Sequence, residues 1–194
     1  MEIIDKNYWD SRYQSNETGW DIGYVSTPIK EYIDQLKDKS IDILIPGCGS
    51  AWEAEYCFNN DFHNTHVIDI SDQAIDRFQN RVPEFPRDRI FNADFFTHDQ
   101  QYDLIIEQTF FCALPPIMRI DYVKKMHALL KPKGKLAGLL FNIELFKDHP
   151  PFGGDQDEYL ELFSPYFHIK TMNVAHNSIP PRVNNELFMI LEKK

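Results

Sequence analysis

Ile41-Asp42-Ile43-Leu44-Ile45-Pro46-Gly47-Cys48-Gly49-Ser50 is the stretch from which the rest of the chain can be read. A short apolar run rich in β-branched residues reads as a strand buried on both faces. The two glycines behind it let the backbone turn sharply and approach a ligand closely. A helix-like stretch then runs to Phe62. Upstream, Thr27-Pro28 is a helix start, a cap residue followed by proline in the first turn, and Ile29, Tyr32, Ile33 and Leu36 recur at helical spacing.

Downstream the same alternation repeats. A second strand over about 65–70 carries Asp69, and Ser71 can cap the helix that buries Ala74, Ile75 and Phe78. A third strand runs to about Ala93 with Asp94 beyond it, and a fourth is Tyr102-Asp103-Leu104-Ile105-Ile106-Glu107. Helical spacing returns at Ile120, Val123, Met126 and Leu130, and Lys131-Pro132-Lys133-Gly134 is expected to stop it. A fifth strand over 135–141 and two late ones, near 166–174 and 186–192, complete the set. This is an α/β pattern, a Rossmann-like, mostly parallel seven-stranded sheet flanked by helices. No linker interrupts it, so one domain over 1–194 is expected, with an N-terminal helical cap over about 1–38.

Bulk properties narrow the function. The 194 residues suffice for one core. A formal net charge of −10 and the lack of any Lys/Arg run make nucleic acid a poor partner. No run approaches the ~18 apolar residues of a membrane span, so no membrane partner is expected. Cys48, Cys57 and Cys112 form no CxxC pair, which favours a reducing, cytoplasmic setting. The seven histidines show no ligand spacing, so no metal is expected. A monomer is the default.

In open sheets, ligands bind beyond the carboxyl ends of the strands. The chain places Gly47-Cys48-Gly49, Asp69, Asp94-Phe95 and Glu107-Gln108 at four successive strand ends. An acid about 20 positions past the glycines suits ribose hydroxyls, which a carboxylate accepts from. Dinucleotide sites need a third Gly or Ala for close helix packing and a pyrophosphate seat. Here that position is Trp52, followed by Glu53, so a diphosphate would meet bulk and negative charge. A phosphate-free adenosine cofactor fits better. S-adenosylmethionine, a sulfonium cation suited to aromatic faces and carboxylates, is the expectation. An NAD-dependent oxidoreductase and a catalytically inactive S-adenosylmethionine-binding protein remain as alternatives.

The ordered set Ile45-Pro46-Gly47-Cys48-Gly49, Val67-Ile68-Asp69-Ile70-Ser71, Tyr102 to Glu107 and Phe110-Phe111-Cys112-Ala113 resembles the thiopurine S-methyltransferase family, closest to its plant halide/thiol branch. Tyr8-Trp9, Thr18-Gly19-Trp20-Asp21 and Pro150-Pro151-Phe152 extend the resemblance over nearly the whole chain. It implies a class I methyltransferase in which Trp9, Tyr13 and Trp20 enclose the cofactor. The backbone at Gly47 would face its methionine portion, Gly49 would also border the cofactor, Asp69 would bind the ribose, and Asp94 and Phe95 would border the adenine. Glu107 would sit near the methionine amino group or the substrate entrance. Gln108 replaces an arginine of the thiopurine enzymes, and Phe141 replaces a tyrosine of the halide/thiol branch.

The expected partner is a small-molecule methyl acceptor, a soft nucleophile for which a thiol is favoured and thiopurine, hydrosulfide and halide stay open, in an apolar pocket of Phe110, Phe111, Phe141 and Phe152, with S-adenosyl-L-homocysteine as the product. Glu107 and Gln108 are the candidate catalytic residues. Displacement at a sulfonium methyl needs positioning and exclusion of water, worth roughly 7–11 kcal/mol, more than it needs a strong base. A thiol of pKa ~8.5 already supplies some thiolate. No single residue is therefore expected to be an indispensable general base, and Glu107, Gln108, His149 and His176 are the ones whose replacement would test this.

Overall fold

The structure is a computed structural model and describes residues 4–194. Its frame is a seven-stranded sheet of β1 (Ile43–Pro46), β2 (Thr65–Asp69), β3 (Ile90–Asn92), β4 (Tyr102–Gln108), β5 (Leu130–Phe141), β6 (Phe167–Val174) and β7 (Glu186–Lys193). The spatial order is β3-β2-β1-β4-β5-β7-β6. The pairs among β1 to β5 are all parallel, and β7 runs antiparallel to both β5 and β6. The strand order reverses between β1 and β4, so the carboxyl ends of these two strands flank the crevice where such sheets bind ligands.

Helices cover both faces. One face holds α2 (Thr27–Asp34), α3 (Trp52–Asn59) and α4 (Asp72–Arg81), packed through Ile29, Ile33, Ala54 and Phe78 onto Ile43, Ile45, Val67 and Ile106. The other holds α5 (Arg119–Leu129) and α6 (Gln156–Phe163), packed through Tyr122, Met126, Tyr159 and Phe163 onto Leu44, Ile105, Leu136 and Leu140. Each such large side chain, fully buried, contributes about 1.5–3 kcal/mol. The first helix, α1 (Lys6–Gln14), lies against α4 rather than the sheet.

Local signals explain most boundaries. Ser71 accepts from the Ala74 backbone N–H at 3.2 Å and caps α4 as expected. Helix α3 ends at Asn59, short of the expected Phe62, because Asp61 turns left-handed at φ 68° and Phe62 N–H closes back on the Cys57 carbonyl. The Lys131-Pro132-Lys133-Gly134 stop is a correction. Helix α5 does end at Leu129, but the chain enters β5 directly, and the four residues form an irregularity within that strand. Lys133, at φ 65°, supplies the bend.

Candidate functional site

The turn after β1 is built on left-handed backbone at Gly47, Gly49 and Ala51, with φ of 55°, 52° and 54°. A Cβ at Gly47 would enter the Phe110 ring, and one at Gly49 would lie 2.7 Å from the Tyr13 hydroxyl. Both glycines are thus fixed by conformation and by space. The Asp69 carboxylate locks this turn to the end of β2. Its Oδ2 accepts from Gly49 N at 2.8 Å and its Oδ1 from Ser71 N at 2.9 Å. Burial pushes the Asp69 carboxyl up, and these two backbone donors oppose that shift. Each oxygen keeps a second lone pair for a ligand. Buried Cys48 has its thiol pushed well up by burial and by Asp69, so it is not a reactive nucleophile.

Aromatic side chains from the N-terminal segment close over the turn. The Trp9 and Trp20 rings meet edge to face at 5.5 Å, and Tyr13 meets Trp20 at 5.7 Å. Helix α1 is held in place by polar contacts to the start of α4. Asp10 accepts from Ser71 Oγ at 2.6 Å and from Gln73 N at 3.2 Å, and Lys6 pairs with Asp72 at 2.6 Å. Arg77 donates to the Tyr13 carbonyl. Asp21 anchors the following loop, accepting from Ser50 Oγ and from Trp52 Nε1.

That last contact explains Trp52. Its indole N–H serves Asp21 at 2.7 Å while the Arg81 guanidinium lies 3.7 Å over the ring. Glu53 beside it is 6% exposed, and burial pushes its carboxyl up to about 7. An indole and two acids, Glu53 and Glu55, occupy the first turn where a dinucleotide would seat its pyrophosphate. The turn, the carboxylate and the aromatic rings suit instead an adenosine cofactor with a cationic centre.

Across the crevice, Asp94 is exposed and caps a single 3-10 turn by accepting from Phe96 N at 2.9 Å, while Phe95 is buried against Phe110 and Tyr122. Glu107 points inward, away from any entrance. It is fully buried, with Oε1 accepting from Phe110 N at 2.7 Å and Phe111 N at 3.0 Å, and Oε2 accepting from the Tyr122 hydroxyl. Burial pushes its carboxyl up to about 7. Glu107 thus shapes the 109–111 turn from behind. Gln108 accepts from Ser26 Oγ at 2.9 Å and ties the end of β4 to the start of α2.

The four expected pocket aromatics separate. Phe111 and Phe141, with Thr109, Cys112 and Glu186, line an internal pocket of about 10 Å³, room for about one water-sized occupant. Phe110 covers Gly47 instead. Phe152 lines a separate open cleft of about 520 Å³ with Arg119, Asn142 and Phe146. His149 bonds the neighbouring Pro150 carbonyl. Sequence reading passed over Glu186, Arg182, Asp21 and Asp10. Only Asp21 lay within a quoted motif; the others reach the site through tertiary pairings that leave no local spacing signal. Among the described residues, no cluster of three or more His, Cys, Asp or Glu could hold a metal, and no helix is long and apolar enough to cross a membrane.

Comparison with known proteins gives the same placement. In Arabidopsis thaliana, a probable thiol methyltransferase 2 is 30% identical over 81% of this chain and 71% of its own length, and a thiocyanate methyltransferase 1 is 28% identical over 95% and 84%. A thiopurine S-methyltransferase of Vibrio vulnificus is 26% identical over 82% of each chain. Among solved structures, a 1,6-didemethyltoxoflavin N1-methyltransferase from Burkholderia thailandensis, crystallised with S-adenosylhomocysteine, superposes with a TM-score of 0.81 at 14% identity, covering 97% of this chain and 87% of its own. A TehB-like S-adenosylmethionine-dependent methyltransferase from Corynebacterium glutamicum reaches 0.67 at 16% identity, covering 97% and 98%. The class I methyltransferase fold follows from these superpositions. The family described as thiopurine S-methyltransferase matches residues 4–190, and with that span and those relatives the chain belongs to this family of S-adenosylmethionine-dependent methyltransferases.

Proposed function

We propose that this methyltransferase methylates a small thiol, with the cofactor over the Gly47–Gly49 turn and the acceptor at the pocket of Phe111 and Phe141. The observation that carries the acceptor is size. A pocket of about 10 Å³, room for about one water-sized occupant, admits at most the head of a small acceptor and leaves no room for a fused aromatic ring. Two further features agree. Gln108 is engaged by Ser26, and no arginine stands at that strand end to meet a substrate carboxylate. The thiol and thiocyanate relatives also share more identity with the chain than the Vibrio thiopurine enzyme does.

In this reading Asp69 accepts from the ribose hydroxyls, Asp94 and Phe95 border the adenine, and Trp9, Tyr13 and Trp20 shield the reaction from water. S-adenosylmethionine supplies the methyl group and the electrophilic centre. The protein supplies orientation and a dry site, and holding the reactants at near-attack distance contributes the larger part of the acceleration. The helices within 1–38 then act as a cap over the cofactor.

Melting temperature with S-adenosylhomocysteine and with NAD tests the cofactor. About 100 times the dissociation constant should add about 2.7 kcal/mol, with a shift expected for S-adenosylhomocysteine alone. Initial rates with a small alkyl thiol, thiocyanate and a carboxylated aromatic thiol test the acceptor. Turnover of the aromatic thiol equal to that of the alkyl thiol would overturn the size argument.

A further inference from the structure

The pocket beside Phe111 and Phe141 contains one acid, and it comes from the last strand. Glu186 opens β7, stands opposite Phe141 in the antiparallel register, and is 3% exposed. The other polar groups of the pocket are unsuited to take a proton. The Thr109 hydroxyl donates to the Gln108 carbonyl at 2.7 Å, and the Cys112 thiol is pushed far up by burial and by Glu107. Two groups fix Glu186. Ser178 Oγ donates to its Oε2 at 2.8 Å, and Arg182 Nη1 lies 3.3 Å from its Oε1. Arg182 in turn donates to the Trp20 carbonyl at 2.8 Å and lies over the Phe141 ring. The carboxylate is therefore oriented and partly balanced in charge, and it is linked through Arg182 to the aromatic residues on the cofactor side.

We propose that Glu186 is the catalytic residue that takes the proton of a thiol acceptor in this pocket. The S–H bond breaks and its proton passes to a carboxylate oxygen of Glu186. The sulfur pair so released forms the new S–CH3 bond, while the methyl's bond to the sulfonium breaks and leaves its electron pair on the cofactor sulfur. The proton returns to solvent as the product leaves. Burial pushes the Glu186 carboxyl up, opposed by Ser178 and Arg182, and this narrows the gap to a thiol and eases the transfer. The proposal rests on the thiol methyltransferase reading.

The test compares the protein with Glu186→Gln on a small alkyl thiol and on thiocyanate, which has no proton to lose. Near pH 7 the variant should lose about 100-fold in kcat/KM for the thiol, within the ~10²–10⁴ range of general bases. The loss should shrink above the thiol pKa of ~8.5. Thiocyanate turnover should not fall, since the anion has no proton to lose and the variant removes a negative charge beside it, and the melting shift with S-adenosylhomocysteine should keep its size within about twofold. Equal losses on both acceptors, or none, would overturn the assignment. Two measurements on the unaltered protein cover a variant that does not fold. Its thiol kcat/KM should plateau below pH ~8.5; a rate that follows the thiolate fraction up to that pH would overturn the proposal. Calorimetry of thiol binding to the S-adenosylhomocysteine complex, in two buffers of different ionisation enthalpy, should show no proton released to buffer, and release of one proton would overturn it. Thiocyanate turnover without these thiol effects removes the base alone, whereas no turnover of either acceptor removes the methyltransferase reading and the proposal together.

Discussion

The two halves of the crevice are built differently. On the side proposed for the cofactor, β1 and β2 are followed at once by the candidate groups, and Asp69 binds backbone only two and twenty residues away, at Ser71 and Gly49. On the side proposed for the acceptor, the pocket joins Thr109, Phe141 and Glu186, which meet only through the pairing of β4, β5 and β7. The first half is written in strand–turn–helix units. The second depends on the antiparallel closure of the sheet, and its buried acid at 107 supports a turn rather than facing a ligand.

The largest effect should come from Glu107. Glu107→Ala orphans Phe110 N–H, Phe111 N–H and the Tyr122 hydroxyl together. At about 1–3 kcal/mol for each orphaned group, the loss should exceed about 3 kcal/mol in denaturant melts. Glu107→Gln keeps an acceptor for the amides and gains a donor for Tyr122, so it should cost less than about 1 kcal/mol. The pH dependence separates the two further. The carboxyl is pushed up to about 7 from 4.5, so between those values the folded chain holds a proton that the unfolded chain has released. Stability from this group is full below 4.5 and is lost as pH rises through about 7, on the order of 3 kcal/mol in all. Glu107→Gln should flatten that slope, leaving the parts due to Glu53, Asp69 and Glu186, whose carboxyls are pushed up likewise. An unchanged slope in the variant would place the titration elsewhere.

Gly47→Ala comes next. It imposes a left-handed alanine, of about 1–3 kcal/mol, and drives a methyl into the Phe110 ring. Melting temperature should fall and S-adenosylhomocysteine affinity should drop by more than tenfold. Asp69→Asn should act mainly on the cofactor, raising the dissociation constant about tenfold, or ~1.4 kcal/mol, in calorimetry. A normal dissociation constant in either variant would erase the contrast between the two halves.

The legibility of the chain follows the same division. The Ser71 cap, the glycine turn and the proline-marked start of α2 were readable because caps and turns are local chemistry, although Thr27 is the first helical residue and Ser26 holds the cap position without a side-chain bond; the sheet class followed from the repetition of such units. The inward turn of Glu107 was not readable, because β4 is covered on both faces and its buried run gives no alternation to tell the directions apart. Glu186 passed unnoticed because its meaning lies in facing Phe141, a pairing 45 residues apart in sequence that only the antiparallel register fixes. The Lys131-Pro132-Lys133-Gly134 stop misled for the opposite reason: a true helix terminus was also the first turn of a strand.

The smallest effect tests whether α1 belongs to the cofactor half or is only attached to it. Asp10 accepts from Ser71 Oγ and Gln73 N at the start of α4, where the helix dipole also favours a negative charge. Asp10→Ala should cost about 1 kcal/mol, with Ser71 still capping α4 through Ala74 N. The helix also carries Trp9 and Tyr13, so loosening it should weaken ligand binding as well as stability. Melting temperature with saturating S-adenosylhomocysteine should then fall by more than that of the free protein. A drop equal in both conditions would make the Asp10 contact an attachment of α1 to α4 alone, and would assign closure over the cofactor to Trp20 and its anchor on Arg182.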